Sequence, residues 1–258
     1  MEAIMALDLL RESTRRIISG ETEVSVAYSG GLDSSVVAAI AGESASVRCY
    51  TCAVEGSFDS RHAQQRAESE SLELTIIELG EKELRSAVQE SGAILGTSNP
   101  TQLAYTIPII TVLKGSRERL VLAGNGADEL FGGYAKYASL QDAALSMAKD
   151  LEKMLRESER LGAAARRMGK EIGFPFVSRE LIDFSRALPL ERKITQSARK
   201  ILLREVAGQL GLPSQNLPKK AAQYSSGALK EMGRLAKRDR KPLAEWTKLC
   251  VETGGRSS

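Results

Sequence analysis

The chain has 258 residues, 42% of them hydrophobic, and a formal net charge of only +3. That length and apolar content fit one large domain with a full core and exclude a disordered chain, while so small a charge neither demands nor rules out nucleic acid. No stretch approaches the roughly 20 apolar residues of a membrane span, and Met1-Glu2-Ala3-Ile4 leads no basic, apolar signal, so a soluble cytoplasmic protein is expected.

Residues 1–20 read as an amphipathic helix ending at Gly20, with Ile4, Leu7, Leu10, Ile17 and Ile18 as its apolar stripe. Val24, Val26 and Tyr28 then suit a buried strand, and Val36 to Ala41 an apolar helix. Between them lies Ser29-Gly30-Gly31-Leu32-Asp33-Ser34-Ser35. The glycine pair allows positive φ and close approach of an anion, and the N–H groups at the helix start point at that anion. Ser29, Ser34 and Ser35 add hydroxyl donors, whereas Asp33 repels a bare phosphate and implies a bridging metal ion. Neither a Walker Gly-Lys-Ser/Thr nor a Gly-x-Gly-x-x-Gly fingerprint is present, which removes the main support for kinase, GTPase or dehydrogenase readings.

Ser46–Val54 reads as a second strand, Asp59 to Leu72 as a helix, Leu74–Leu79 as a third strand and Glu81 to Ser91 as a helix. Thr101 to Lys114 follows as a helix that Pro108 must kink or begin partway, and Leu120 to Ala123 as a fourth strand. This alternation predicts a doubly wound, mainly parallel α/β sheet with ligands at the carboxyl ends of its strands. The first and fourth strands end at Ser29 and Gly124, so one site is expected there. Cys49 and Cys52 fall on opposite faces of the second strand and read as core thiols, and His62, the only histidine, reads as a surface residue of a helix.

After the fourth strand comes Gly124-Asn125-Gly126-Ala127-Asp128-Glu129-Leu130-Phe131-Gly132-Gly133-Tyr134. Its glycines allow a ligand to approach the backbone, and Asp128 and Glu129 supply carboxylates for a divalent ion.

The loop at Ser29 to Ser35 resembles the pyrophosphate-binding loop of the ATP pyrophosphatases, and together with Gly124 to Tyr134 it resembles the asparagine synthetase family. The resemblance extends through Asp150 to Arg160, Met168 to Val177 (with Gly173 where arginine is usual), Lys200-Ile201-Leu202-Leu203-Arg204, and Leu217 to Gly227. It implies that ATP and Mg²⁺ bind, that a substrate carboxylate is adenylated with release of pyrophosphate, and that ammonia or an amine then displaces AMP to form an amide. By the same resemblance Ser29, Gly30, Gly31, Asp33, Ser34, Ser35, Val54, Gly124 and Lys200 would hold the nucleotide, Asp33 and Asp128 the Mg²⁺, and Asn125, Gly126 and Glu129 the substrate. Lys220 would stabilise the transition state. Two departures concern the substrate. Asn125 stands where ammonia-using members have glutamate and cannot act as a base. Ala104, counted back from Pro108, stands where the family's carboxylate-reading arginine is usual.

The expected organisation is a single domain: a helix over 1–20, an ATP-binding α/β core over 21–138, a helical subdomain over 139–240 and a tail over 241–258. The loop arrives within thirty residues of the start of the sequence, so no glutaminase domain is expected ahead of it. The expected partners are a small carboxylate and ammonia or an amine, without membrane or nucleic acid, and a homodimer or a separate amidotransferase subunit stays open. Two other readings also stay open: a tRNA-thiolating ATP pyrophosphatase, favoured only by Cys49 and Cys52, and a non-catalytic ATP-binding regulator or partner subunit.

Overall fold

The computed structural model describes residues 1–54, 58–139, 141–213 and 227–253. Five strands form one sheet in the order β3-β2-β1-β4-β5: β1 Glu23–Ala27, β2 Ser46–Val54, β3 Leu74–Leu79, β4 Leu120–Leu122 and β5 Glu171–Gly173. Every pair in it is parallel. Parallel pairing makes all the strands end on the same side, which is where a doubly wound sheet opens its crevice.

Alternate side chains of each strand serve opposite faces. Val24, Val26, Tyr28, Leu120 and Leu122 join one apolar cluster with α1 Glu2–Ile18 and α2 Leu32–Gly42, whereas Ala27 and Val121 join another with α5 Pro100–Gly115. Cys49 and Cys52 fall into different clusters in the same way, both buried, and burial pushes their thiols up to about 12 and about 11, with the Glu70 charge adding to the first. They are core thiols with protonated sulfurs.

α3 Phe58–Ser69 lies between β2 and β3, and α4 Glu81–Leu95 and α5 carry the chain back past β1 to β4. The start of α5 is fixed by Asn99, whose Oδ1 accepts from the N–H groups of Thr101 and Gln102 at 3.0 and 3.2 Å, with Pro100 at the first helical position. Pro108 neither starts nor ends this helix; the helix runs through it.

Two expectations about the second half of the chain need correction. β5 lies inside the expected helical subdomain over 139–240, and its three residues pair with β4. Residues 241–258 are not simply a tail, because the helix Leu243–Thr253 docks on α4. Its Trp246 is buried and donates from Nε1 to Asp239 at 2.8 Å, and Arg85 lies 4.9 Å over the indole. Gly173 explains itself in the same region: a Cβ there would lie 2.3 Å from Ile17 Cγ2 of α1, so the place where arginine is usual has no room for a side chain. Among the described residues no helix is long and apolar enough to cross a membrane.

Candidate active site

The loop after β1 turns on Gly30, whose φ of +70° is the left-handed conformation glycine tolerates. Gly31 differs from expectation, with an ordinary φ of −92° as the N-cap of α2. A Cβ on Gly30 would lie 3.1 Å from the Ala63 Cα, so α3 is pressed directly against the loop. Ser34 closes the loop on itself: its Oγ donates to the Gly31 carbonyl at 3.0 Å and accepts from the Ser29 N–H at 3.2 Å. Asp33 follows in the first turn of α2, where the positive end of the helix dipole favours a carboxylate. Ser35, expected beside the phosphates, is instead fully buried.

β4 pairs with β1 through Ser25–Val121 and Val26–Leu122, so the chain after Ala123 leaves the sheet level with the first loop. Gly126, at φ +96°, is the N-cap of the short helix α6, Ala127–Phe131, which carries both acids. They diverge. Glu129 is buried and accepts from the Tyr134 hydroxyl at 2.8 Å; burial and the Asp128 charge push its carboxyl up to about 7 against that hydrogen bond. Asp128 turns instead toward the first loop.

There the two motifs meet on a lysine. The Lys200 ammonium contacts Asp33 Oδ1 and lies 2.6 Å from Asp128 Oδ1, with its side chain only 3% exposed. Burial opposes its charge, but Asp128 and Asp33 outweigh it and push the pKa up to about 12. Lys200 is the N-cap of α9, Ile201–Gln209, and takes the left-handed φ of +56° that non-glycine residues rarely adopt. The sequence pattern placed Lys200 at the nucleotide; it gave no sign that this residue bridges the two carboxylates.

These groups border a cavity of about 550 Å³. Ser29, Asp33, Ser34, Gly124, Asn125, Gly126, Asp128 and Glu129 all line it, as expected of a site at the ends of β1 and β4. Gly30, Gly31, Ser35 and Lys200 are not part of that lining. Val54 also stays outside; β2 contributes Tyr50, Thr51 and Cys52. From α5 come Tyr105, Pro108, Ile109 and Val112, whereas Ala104 is fully buried in the cluster on the other side of the helix. The residue that α5 presents to the cavity at this level is therefore Tyr105, and its hydroxyl donates toward both carboxylate oxygens of Glu157 at 3.3 Å.

Sequence reasoning missed this far wall. Glu157 and Lys153 stand one turn apart on α7, Ala143–Arg167, 3.6 Å from each other. Lys136 pairs with Asp150 and sits 5.5 and 5.4 Å from the rings of Tyr134 and Tyr137. Only the helical spacing of Lys153 and Glu157 could have pointed to any of them. Lys220 lies outside the described residues.

Asp33 and Asp128 fit a divalent cation of the kind that keeps waters and takes its other ligands from phosphate oxygens, since such a site needs only one or two carboxylates. A buried cation already rests between them, which shows that the pair suits a positive charge. Among the described residues no group of three or more His, Cys, Asp or Glu could hold a metal without such outside ligands.

Comparison with known proteins places this geometry. A Methanocaldococcus jannaschii protein provisionally named glutamine-hydrolysing asparagine synthetase 1 is 28% identical over 273 residues, covering 89% of this chain and 50% of that protein. Asparagine synthetase B of Escherichia coli is 24% identical over 242 residues, covering 84% and 44%. The chain thus spans about half the length of these curated relatives. Among solved structures, an NMN synthetase from Francisella tularensis aligns over 98% of this chain and 92% of its own, at 15% identity and a TM-score of 0.43. The asparagine synthase family model matches residues 5–173 and 146–249, which together take in both loops, β5 and the helix of Lys200, and the chain belongs to that family.

Proposed function

We propose that this chain is an ATP-dependent amide-forming synthetase. The observation that carries the reading is the convergence of Asp33 and Asp128, from two separate loops, at the edge of one cavity beside the Ser29–Ser34 turn. In this reading Ser29, Ser34 and the first N–H groups of α2 receive the β- and γ-phosphates, and Asp33 and Asp128 hold Mg²⁺. When bound, Mg²⁺ would supply positive charge against the polyphosphate.

A substrate carboxylate oxygen attacks the α-phosphorus, the bond to the bridging oxygen breaks, and pyrophosphate leaves with that electron pair. The nitrogen of ammonia or an amine then attacks the acyl carbon, AMP departs, and the nitrogen loses one proton. Lys200, held at the two carboxylates, supports the first step by placing a fixed positive charge near the developing pyrophosphate. Tyr105, Glu129, Tyr134, Lys153 and Glu157 form the wall available to the acid and the amine.

The test is carboxylate-dependent exchange of labelled pyrophosphate into ATP, screened over amino and dicarboxylic acids. Exchange that needs both Mg²⁺ and one of the acids supports the reading. Saturable nucleotide binding with no exchange for any acid would turn it toward a non-catalytic ATP-binding protein, and exchange stimulated only by tRNA toward a base-modifying enzyme.

A further inference from the structure

Lys200 stands in a place where a second cation is expected. Its ammonium contacts Asp33 Oδ1 and Asp128 Oδ1 together, and its side chain is almost wholly excluded from water. The backbone holds this posture with a left-handed φ of +56°, a conformation that costs a non-glycine residue energy and persists only where its surroundings impose it. The two carboxylates are therefore already neutralised in part before any ligand arrives.

Resting on the reading of Asp33 and Asp128 as metal ligands, we propose that Lys200 is a resident counter-cation that keeps a free divalent ion off this pair, so that metal is taken up only together with a polyphosphate. A divalent ion alone would bring three positive charges against two carboxylates in a poorly solvated place, where like-charge repulsion is weakly screened. A polyphosphate changes the balance. It offers the ammonium new acceptors at the adjoining Ser29–Ser34 turn while adding several negative charges of its own. Lys200 is then a positioning residue with two partners in succession, carboxylates in the empty site and phosphate oxygens in the filled one.

The test measures binding of Mn²⁺ alone, with no nucleotide, by loss of the free-ion paramagnetic resonance signal. The wild-type chain is expected to bind it only weakly, and Lys200→Gln at least about tenfold more tightly, the size expected from removing one unit charge near ion-contact distance. Lys200→Arg should stay as weak as wild type. Mn²⁺ should also raise the melting temperature of Lys200→Gln more than that of wild type, because the variant removes the positive charge that rests between the two carboxylates. Tight Mn²⁺ binding by the wild-type chain, which needs no variant to measure, overturns the proposal, as does unchanged affinity in Lys200→Gln. Failure of the underlying reading looks different: Asp33→Asn and Asp128→Asn would then leave Mn²⁺ binding in the presence of a non-hydrolysable ATP analogue as strong as in wild type.

Discussion

Gly124 packs against Asp33 so closely that a β-carbon on the glycine would lie 3.0 Å from the Asp33 β-carbon and 3.5 Å from the Ser34 nitrogen. The loop after β4 is thereby seated on the loop after β1, and the glycine's role is this contact as much as room for a ligand. Gly124→Ala should push the two loops apart by a few tenths of an ångström, cost about 1–3 kcal/mol as overpacking does, and lower pyrophosphate exchange by more than the stability loss accounts for. Denaturant titration and exchange assays on one preparation check both halves, and a variant with wild-type exchange would show that the contact is slack.

Asp33→Asn and Asp128→Asn should each abolish exchange while leaving the far-ultraviolet circular dichroism unchanged. Each also removes one negative charge from beside a buried ammonium, so each should be less stable than wild type; breaking a buried pair costs about 3–5 kcal/mol at most. Rates like those of wild type in either variant would take that carboxylate out of the site.

Lys193 gives a pH dependence of stability. It is buried, has no ion pair or hydrogen bond to its ammonium among the described residues, and burial lowers its pKa to about 8 from 10.5. The unfolded chain holds this proton more tightly, so between about pH 8 and 10.5 unfolding takes up a proton and the Lys193 contribution makes the fold more stable as pH rises. Lys193→Met should therefore be more stable than wild type at pH 7, by about 2 kcal/mol, with the gap closing by pH 10.5. Urea titrations at pH 7, 8.5 and 10 measure it, and a gap that stays constant would place the ammonium in water.

Asn125 lines the cavity but has no group that accepts a proton near neutrality. With no base at that position, the attacking amine is expected to arrive neutral, and amide formation at fixed total ammonium should rise with pH toward ammonium's own pKa. Asn125→Glu should raise the rate near neutrality and flatten that rise. A wild-type profile already flat at neutral pH would mean that another residue of the far wall serves as base.

Much of this arrangement could be read from the residues. Ser46–Val54 and Leu74–Leu79 were legible because β-branched and apolar residues alternate between turn signals, and the meeting of the Asp33 and Asp128 loops because the first and fourth strands were expected to end at one site. β5 was not, since three residues containing a glycine and a glutamate carry no strand pattern, and only pairing with β4 makes them one. Counting along α5 singled out Ala104, but the direction of a helical side chain depends on which face the neighbours cover, and α4 with the C-terminal helices covers that of Ala104. Nor does Lys-x-x-Leu-Arg disclose that its lysine takes a left-handed backbone.

The adjacency of β1 and β4 in the sheet also acts as a ruler. Two parallel neighbours stand about 4.8 Å apart, and the loops after β1 and β4 leave such strands at the same level. One cation touching an oxygen on each side spans a gap of this size, whether it is an ammonium or a metal ion. The loops that carry Asp33 and Asp128 thus leave strands that main-chain hydrogen bonds hold side by side, so changes on the outer helices can alter what enters the cavity without separating those strands.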